Sequence, residues 1–278
     1  MVQIGEKKLG KLTVKVFQDR PSKEMNDFLD FGVNVSSGMI AVGGGVEGAR
    51  TPNGALITAS YPNTDLTAWL GSTKAHMGEF PNPHRISVFS IGLSVDGMSA
   101  EELKSEEHII LRKQISEPGP YPQKQTPVPN GYLLLGGGFH VEYPKGRGNL
   151  CTASFPQNSS SWLARAKAHF VESDGIMTTY AICIREKIPG IGTIKNKIMP
   201  PTESSTGDHI SAVSELGNGF LLTGGGAEVH WTEPGNLLWR LVPYIESTGQ
   251  GYEVSSKAHA ASSPANLSAY SIGIRVST

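Results

Sequence analysis

Lys74-Ala75-His76 is the first of three copies of one tripeptide, and the others are Lys167-Ala168-His169 and Lys257-Ala258-His259. The copies follow one another at steps of 93 and 90 residues, from 74 to 167 and from 167 to 257. An aromatic residue stands five positions before each lysine. Repetition at a fixed period is typical of proteins in which similar units bury their apolar faces against one another. The pattern predicts three related units, covering residues 1–96, 97–185 and 186–278.

Three further features recur in each unit. A short apolar run leads into three glycines, at Gly43-Gly44-Gly45, Gly136-Gly137-Gly138 and Gly224-Gly225-Gly226. An apolar strand closed by proline follows, and an alternating strand such as Phe89 to Leu93 ends the unit. A phosphate-binding loop would need a helix behind its glycines, whereas these glycines precede turns and strands. They therefore indicate a β-bulge or a close approach between sheets.

The composition favours an all-β protein. Of 278 residues, 33 are glycine and 18% are charged, which suits tight turns and closely packed strands better than solvated helices. The net charge of −1 and the lack of a dense basic run remove the attraction that drives nonspecific nucleic-acid binding, so we expect no nucleic-acid partner. No secretory signal and no long apolar stretch is visible. We expect a soluble protein made in the cytoplasm and able to act outside the cell after release.

Several local elements are predicted. Alternation indicates a strand over Leu12 to Phe17 with Leu12, Val14 and Val16 on one face, and further strands near His108 to Leu111 and Gly192 to Lys195. Glu101 to Lys104 is predicted to form a helical turn capped by Ser99. Cys151 and Cys183 both fall in the second unit, so they are expected to be reduced core thiols and not a disulfide shared by all units.

The order of these features resembles a repeat found in poorly characterised bacterial and related proteins, many of them secreted. It covers about 58 residues of each unit, for example 38–95: triglycine, Ser-aromatic-Pro, Trp, Lys-Ala-His, and a closing strand of the pattern [FY]-x-I-x-[IL]. The third unit departs from it, with Leu241-Val242-Pro243 in place of Ser-aromatic-Pro and Tyr252 in place of Trp.

The number of units and strands is similar to that of jacalin-type lectins, the vitelline membrane outer layer protein and the middle domain of insecticidal crystal toxins. This similarity implies a pseudo-threefold β-prism in one domain, residues 1–278. Three separate β-sandwiches of about 90 residues are the alternative layout. The similarity also implies a defence or insecticidal role, with membrane contact only if the protein is a toxin.

The strand before each tripeptide carries the predicted binding site. In an unbroken strand, alternation places Trp69 on a face of small residues and both Lys74 and His76 on the other, pointing outward or into a shared cleft. An aromatic platform with nearby donors suits a glycan or a cell-surface glycoprotein receptor, and three copies would raise avidity. The predicted ligand-binding residues are Trp69, Lys74, His76, Trp162, Lys167, His169, Tyr252, Lys257 and His259.

The same residues also allow structural roles. The aromatics could pack in the core, and the lysine or histidine could hydrogen-bond a carbonyl of the adjacent unit. The protein would then have a purely structural or surface-interaction function.

Catalysis and metal binding receive less support from the sequence. No nucleophile elbow or metalloprotease motif is present and the carboxylates do not recur in register, so we expect no enzymatic activity. Glu142 and Asp174 are the carboxylates that a glycoside hydrolase would use. Three convergent histidines could hold zinc with one open position, but the neighbouring lysines would repel the cation. We therefore expect neither metal nor cofactor.

Overall fold

A computed structural model of the chain describes residues 1–49, 55–75, 84–142 and 148–277. These residues contain 21 strands and one α-helix, so the predicted all-β class is confirmed. Residues 1–108 form β1 (Val2–Leu9), β2 (Leu12–Asp19), β3 (Phe31–Asn34), β4 (Ile40–Glu47), β5 (Ala55–Pro62), β6 (Ala68–Ala75), β7 (Ser87–Val95) and α1 (Ala100–Ser105). Residues 109–185 form β8 (Ile109–Ile115), β9 (Gln123–Pro127), β10 (Tyr132–Glu142), β11 (Leu150–Asn158), β12 (Ser161–Lys167) and β13 (Ile176–Arg185). Residues 187–277 form β14 (Lys187–Ile188), β15 (Gly192–Ile198), β16 (Thr202–Glu203), β17 (His209–Glu215), β18 (Leu221–His230), β19 (Asn236–Ile245), β20 (Gln250–Ala258) and β21 (Asn266–Ser277).

The strands build three antiparallel sheets, and each sheet takes strands from two parts of the chain. Sheet I has the order β1-β2-β7-β4-β19-β20-β17, sheet II the order β3-β6-β5-β10-β13-β8, and sheet III the order β14-β15-β21-β18-β11-β12-β9. In every sheet the two parts meet where a triglycine strand (β4, β10 or β18) pairs with a strand that contains the recurring proline (β19, β5 or β11). Strands are thus exchanged between parts of the chain, and each part lies in two sheets.

The three junctions share one register. Glu47 pairs with Arg240 in sheet I, His140 with Ala59 in sheet II, and Glu228 with Ala153 in sheet III. Each triglycine strand also has a register shift immediately before its first glycine, at Ala41/Gly43, Leu134/Gly136 and Leu222/Gly224. The bulge predicted at the triglycine is therefore present in each sheet, and the glycines continue the strand beyond it.

The first glycine of each run lies where the three sheets approach one another. A β-carbon added to Gly224 would lie 2.8 Å from the carbonyl oxygen of Leu135 and 2.9 Å from the Cα of Gly136. A β-carbon added to Gly43 would overlap the carbonyl oxygen of Thr223. Because these neighbours are backbone atoms that cannot turn aside, only glycine allows this approach.

The sheets also meet along their edges. Ser214 Oγ of β17 in sheet I lies 2.9 Å from Ser271 Oγ of β21 in sheet III. Thr126 Oγ1 of β9 in sheet III donates to the carbonyl oxygen of Thr179 of β13 in sheet II at 3.0 Å. At the third edge, β3 of sheet II packs beside β7 of sheet I. One large cluster of buried apolar side chains from all three sheets fills the interior.

The local elements predicted from the sequence agree with the structure. Leu12, Val14 and Val16 of β2 are fully buried, β15 includes the predicted strand at Gly192 to Lys195, and β8 begins one residue after His108. Ser99 caps α1, since its Oγ accepts from Glu102 N at 3.1 Å while Glu102 accepts from Ser99 N at 2.7 Å.

The two cysteines, Cys151 and Cys183, are free and buried, as expected for core thiols. Burial raises the pKa of both thiols, so they are held in the protonated form at neutral pH.

Candidate ligand-binding site

The aromatic residues before the tripeptides lie in the core. Trp69, Trp162 and Tyr252 are each 1% exposed, and each ring covers the second glycine of a triglycine run. Trp69 Nε1 donates to Ser60 Oγ at 2.9 Å, and Trp162 Nε1 donates to Ser154 Oγ at 3.1 Å. This burial corrects the expectation of an aromatic platform at these positions, because it leaves no ring face for a ligand. Core packing, the alternative considered from the sequence, describes all three rings.

The third unit departs from the repeat at the position that makes this hydrogen bond. Leu241 stands where the other units have serine, and Tyr252 stands where they have tryptophan. Tyr252 OH instead donates to the carbonyl oxygen of Gly44. A tyrosine has no indole N–H, so the neighbouring serine is not needed as an acceptor.

The three lysines are buried. Lys167 and Lys257 are 1% and 2% exposed, and Lys74 is 8% exposed, so the first of the two predicted arrangements, side chains open to solvent, is wrong. Lys167 Nζ donates to Glu233 Oε2 at 2.8 Å and to the carbonyl oxygen of Pro234 at 2.5 Å. Lys257 Nζ donates to the carbonyl oxygen of Ala49 at 3.1 Å. Residues from a different part of the chain therefore contact Lys167 and Lys257, which is the structural contact considered as an alternative.

The lysines of the three tripeptides lie at one end of the sheets, around a shared apolar cluster. Leu56, Leu150 and Leu237 are buried together, with Trp239 packed against them. In the strand register these leucines pair with Lys74, Lys167 and Lys257 respectively. We call this region the Lys-His end.

Two of the predicted histidines meet at the Lys-His end. The rings of His169 and His259 lie 5.8 Å apart, and His169 Nε2 lies 3.2 Å from the carbonyl oxygen of His259. His169 Nδ1 lies 3.1 Å from the carbonyl oxygen of Pro234. Burial lowers the pKa of His169, and burial followed by the charge of Lys257 lowers the pKa of His259 to about 4. His259 is therefore neutral at pH 7.

The three-histidine zinc site of the sequence hypothesis includes His76, which lies outside the described residues. Within the described ranges, no three His, Cys, Asp or Glu side chains are grouped closely enough to hold a metal ion.

An exposed aromatic cluster lies beside Lys167 and was not predicted from the sequence. Tyr121 is 58% exposed, and its ring is stacked on that of half-buried Trp231 at 6.4 Å between centroids. Lys167 Nζ lies 4.1 Å from the Trp231 ring centre. Tyr121 OH donates to Glu233 Oε1 at 3.2 Å, and Glu233 also accepts from Lys167. We call these four residues the Tyr121 platform.

Hydrogen bonds within the Tyr121 platform set the protonation states of Glu233 and Tyr121. The hydrogen bond from Lys167 lowers the pKa of Glu233, so this carboxylate is ionised at neutral pH. The hydrogen bond to Glu233 raises the pKa of Tyr121, which keeps the phenol protonated as a donor. The platform thus combines an exposed ring with a fixed carboxylate.

The two carboxylates considered for glycoside hydrolysis lie at the surface. The Glu142 side chain is 65% exposed and its Oε1 lies 3.8 Å from His140 Nδ1. Asp174 is exposed, between β12 and β13.

No known protein family matches the chain, and no curated protein sequence matches it significantly. In the part of the chain that the structure describes, no helix combines the length and apolar character needed to cross a lipid bilayer.

Proposed function

We propose that this protein is a non-enzymatic carbohydrate-binding protein with a pseudo-threefold β-prism fold, and that the Tyr121 platform is its binding site. Support for the fold comes from the common junction register, the common bulge before each triglycine, and the contacts between sheet edges. The exchange of strands between parts of the chain supports one domain and not three sandwiches.

The observation that carries the functional proposal is the exposed, ordered ring of Tyr121. Sugars present an apolar C–H face and several hydroxyl groups. An exposed aromatic ring packs against the first, and a fixed carboxylate accepts hydrogen bonds from the second. The Tyr121 ring is stacked on the Trp231 ring and its hydroxyl donates to Glu233, so little side-chain freedom remains to be lost on binding.

The proposed binding site differs from the one predicted from the sequence. Of the nine predicted residues, Lys167 belongs to the Tyr121 platform, where it holds Glu233 and Trp231. The expected partners are glycans, either free or carried by a cell-surface glycoprotein. A defence or insecticidal role stays a prediction from the resemblance.

A glycan array tests the proposal with the intact protein and the variants Tyr121→Ala and Glu233→Gln. We expect the wild type to bind a subset of glycans and Tyr121→Ala to lose at least about tenfold in affinity, because the ring contact is removed. Tyr132→Ala is the matched control, since Tyr132 is a half-exposed tyrosine beside Arg185 elsewhere on the surface. Failure of the wild type to bind any glycan, or equal losses in Tyr121→Ala and Tyr132→Ala, would reject the proposal.

A second candidate function, docking to a protein receptor, is favoured by exposed apolar residues at the Lys-His end. Phe170 and Val171 are 59% and 43% exposed, and the φ of Phe170 is 58°, in the left-handed region. Non-glycine residues in this conformation are strained and concentrate at functional sites. Receptor binding that is lost in Phe170→Ala and unaffected by competing sugars would favour this candidate over the first.

A further inference from the structure

We propose that the outer face of sheet III extends the Tyr121 platform into a groove for a neutral oligosaccharide, which lies along β9 and β12. This inference rests on the proposed function, because it assigns further subsites to the same site.

The groove is open, has a volume of about 550 Å³, and is lined mainly by polar side chains: Gln123, Lys124, Gln125, Gln157, Leu163 and Arg165. Each glutamine amide offers both a donor and an acceptor, which matches the hydroxyl groups of a sugar. A groove lined by three amides therefore suits a polyhydroxylated ligand better than an apolar one.

The groove leads towards the Tyr121 platform. Leu163 pairs with Gln125 and Arg165 pairs with Gln123 across β12 and β9. Residues two apart in a strand share a face, so Lys167 continues this face of β12 beyond Arg165. The pairing with β12 extends beyond the start of β9, because Ala168 N donates to the carbonyl oxygen of Pro120 at 2.8 Å, and this places Tyr121 opposite Lys167. From Leu163 to Lys167 the strand rises about 13 Å, which exceeds the length of one pyranose ring.

Two cations, Lys124 and Arg165, line the groove, and the charge of Arg165 is balanced within the protein. Arg165 forms an ion pair with Glu228, and its Nε donates to Gln123 Oε1 at 3.3 Å. These contacts fix the guanidinium group and compensate its charge. A neutral sugar chain therefore fits the groove better than one that carries a carboxylate or sulfate on every unit.

Among the described residues, the positions of sheets I and II equivalent to Arg165 carry shorter side chains than in sheet III. The central pair of the groove, Arg165 with Gln123, corresponds in sheet I to Ser255 with Ser211, whose short side chains lie 2.8 Å apart and hydrogen-bond each other. In sheet II, Ser72 occupies the position of Arg165. We therefore expect one oligosaccharide bound per protein molecule and not three.

Isothermal titration with two oligomer series tests the groove: neutral β-1,4-linked glucose oligomers and acidic oligogalacturonides, each of one to six units. We expect the affinity for the neutral series to rise up to about four units and then level off, with a stoichiometry near one. Gln125→Ala combined with Gln157→Ala should weaken binding of the longer neutral oligomers about tenfold and leave the monomer and dimer unchanged. Ser211→Ala, on the equivalent face of sheet I, is the matched control.

The outcomes separate this inference from the proposed function. A neutral hexamer that binds no more tightly than the dimer, or an acidic series that binds more tightly than the neutral one, overturns the groove while the Tyr121 platform stands. Tyr121→Ala should weaken binding at every length. The absence of binding at every length in both series, and on the glycan array, overturns both proposals.

Discussion

Replacing Ser154 by alanine tests whether the recurring serine is present to satisfy the recurring tryptophan. Trp162 and Ser154 are 1% and 2% exposed, and the indole N–H donates to Ser154 Oγ at 3.1 Å. Alanine removes the acceptor and leaves a buried donor without a partner, since water does not reach it. The expected loss in the free energy of unfolding is about 1–3 kcal/mol, the range for a buried polar group whose partner is removed.

A double-mutant cycle isolates this hydrogen bond from packing. Trp162→Phe removes the N–H together with part of the ring, so Ser154→Ala should cost much less in that background. We expect a coupling energy of about 1–2 kcal/mol from urea unfolding curves of the four proteins. The same cycle at Ser60 and Trp69, where the bond is 2.9 Å, should give a similar value. Additive losses, with coupling below about 0.3 kcal/mol in both cycles, would refute this explanation of the motif.

Two further perturbations probe the centre of the fold and the Lys-His end. Gly136→Ala places a β-carbon against the carbonyl oxygen of Val42 and should cost about 1–3 kcal/mol in urea unfolding, whereas Gly217→Ala, which meets nothing within 4 Å, should cost far less. Equal losses in the two would contradict the close approach. The free energy of unfolding should fall as the pH drops from 6.5 to about 4, because His259 becomes protonated in the unfolded chain while it stays neutral in the folded protein. The loss should amount to at most about 3 kcal/mol. His259→Gln should flatten this part of the pH profile, and an unchanged profile would show that His259 does not cause it.

The fold was partly predictable because strand patterns are local. Alternation in Leu12 to Phe17 identified both a strand and its buried face, and the triglycine indicated a bulge that the structure contains. The strand over His209 to Glu215 was harder to recognise. Ile210, Ala212 and Ser214 alternate correctly towards the interior, but Val213 is 41% exposed on the other face and obscures the period.

The candidate site was less predictable because its parts are distant in sequence. Tyr121 and Glu233 are 112 residues apart, and neither belongs to the recurring pattern. The one local signal was an aromatic residue between two prolines, Pro120-Tyr121-Pro122, in a connector. Such a segment resists regular structure and tends to present its side chain at the surface.

The sequence by itself determined the all-β class, the positions of many strands and the places where only glycine is tolerated. These properties follow from the two-residue period of a strand and from the size of a side chain, and both are set by neighbouring residues. Tertiary structure decided which strands share a sheet and what covers each face. Alternation put Lys167 and Lys257 on the outer face, yet residues from other parts of the chain bury them. The pattern within one strand predicts which face of the sheet a side chain lies on, but not which residues pack on that face. Those residues decide whether the side chain is buried in the fold or remains available to a ligand.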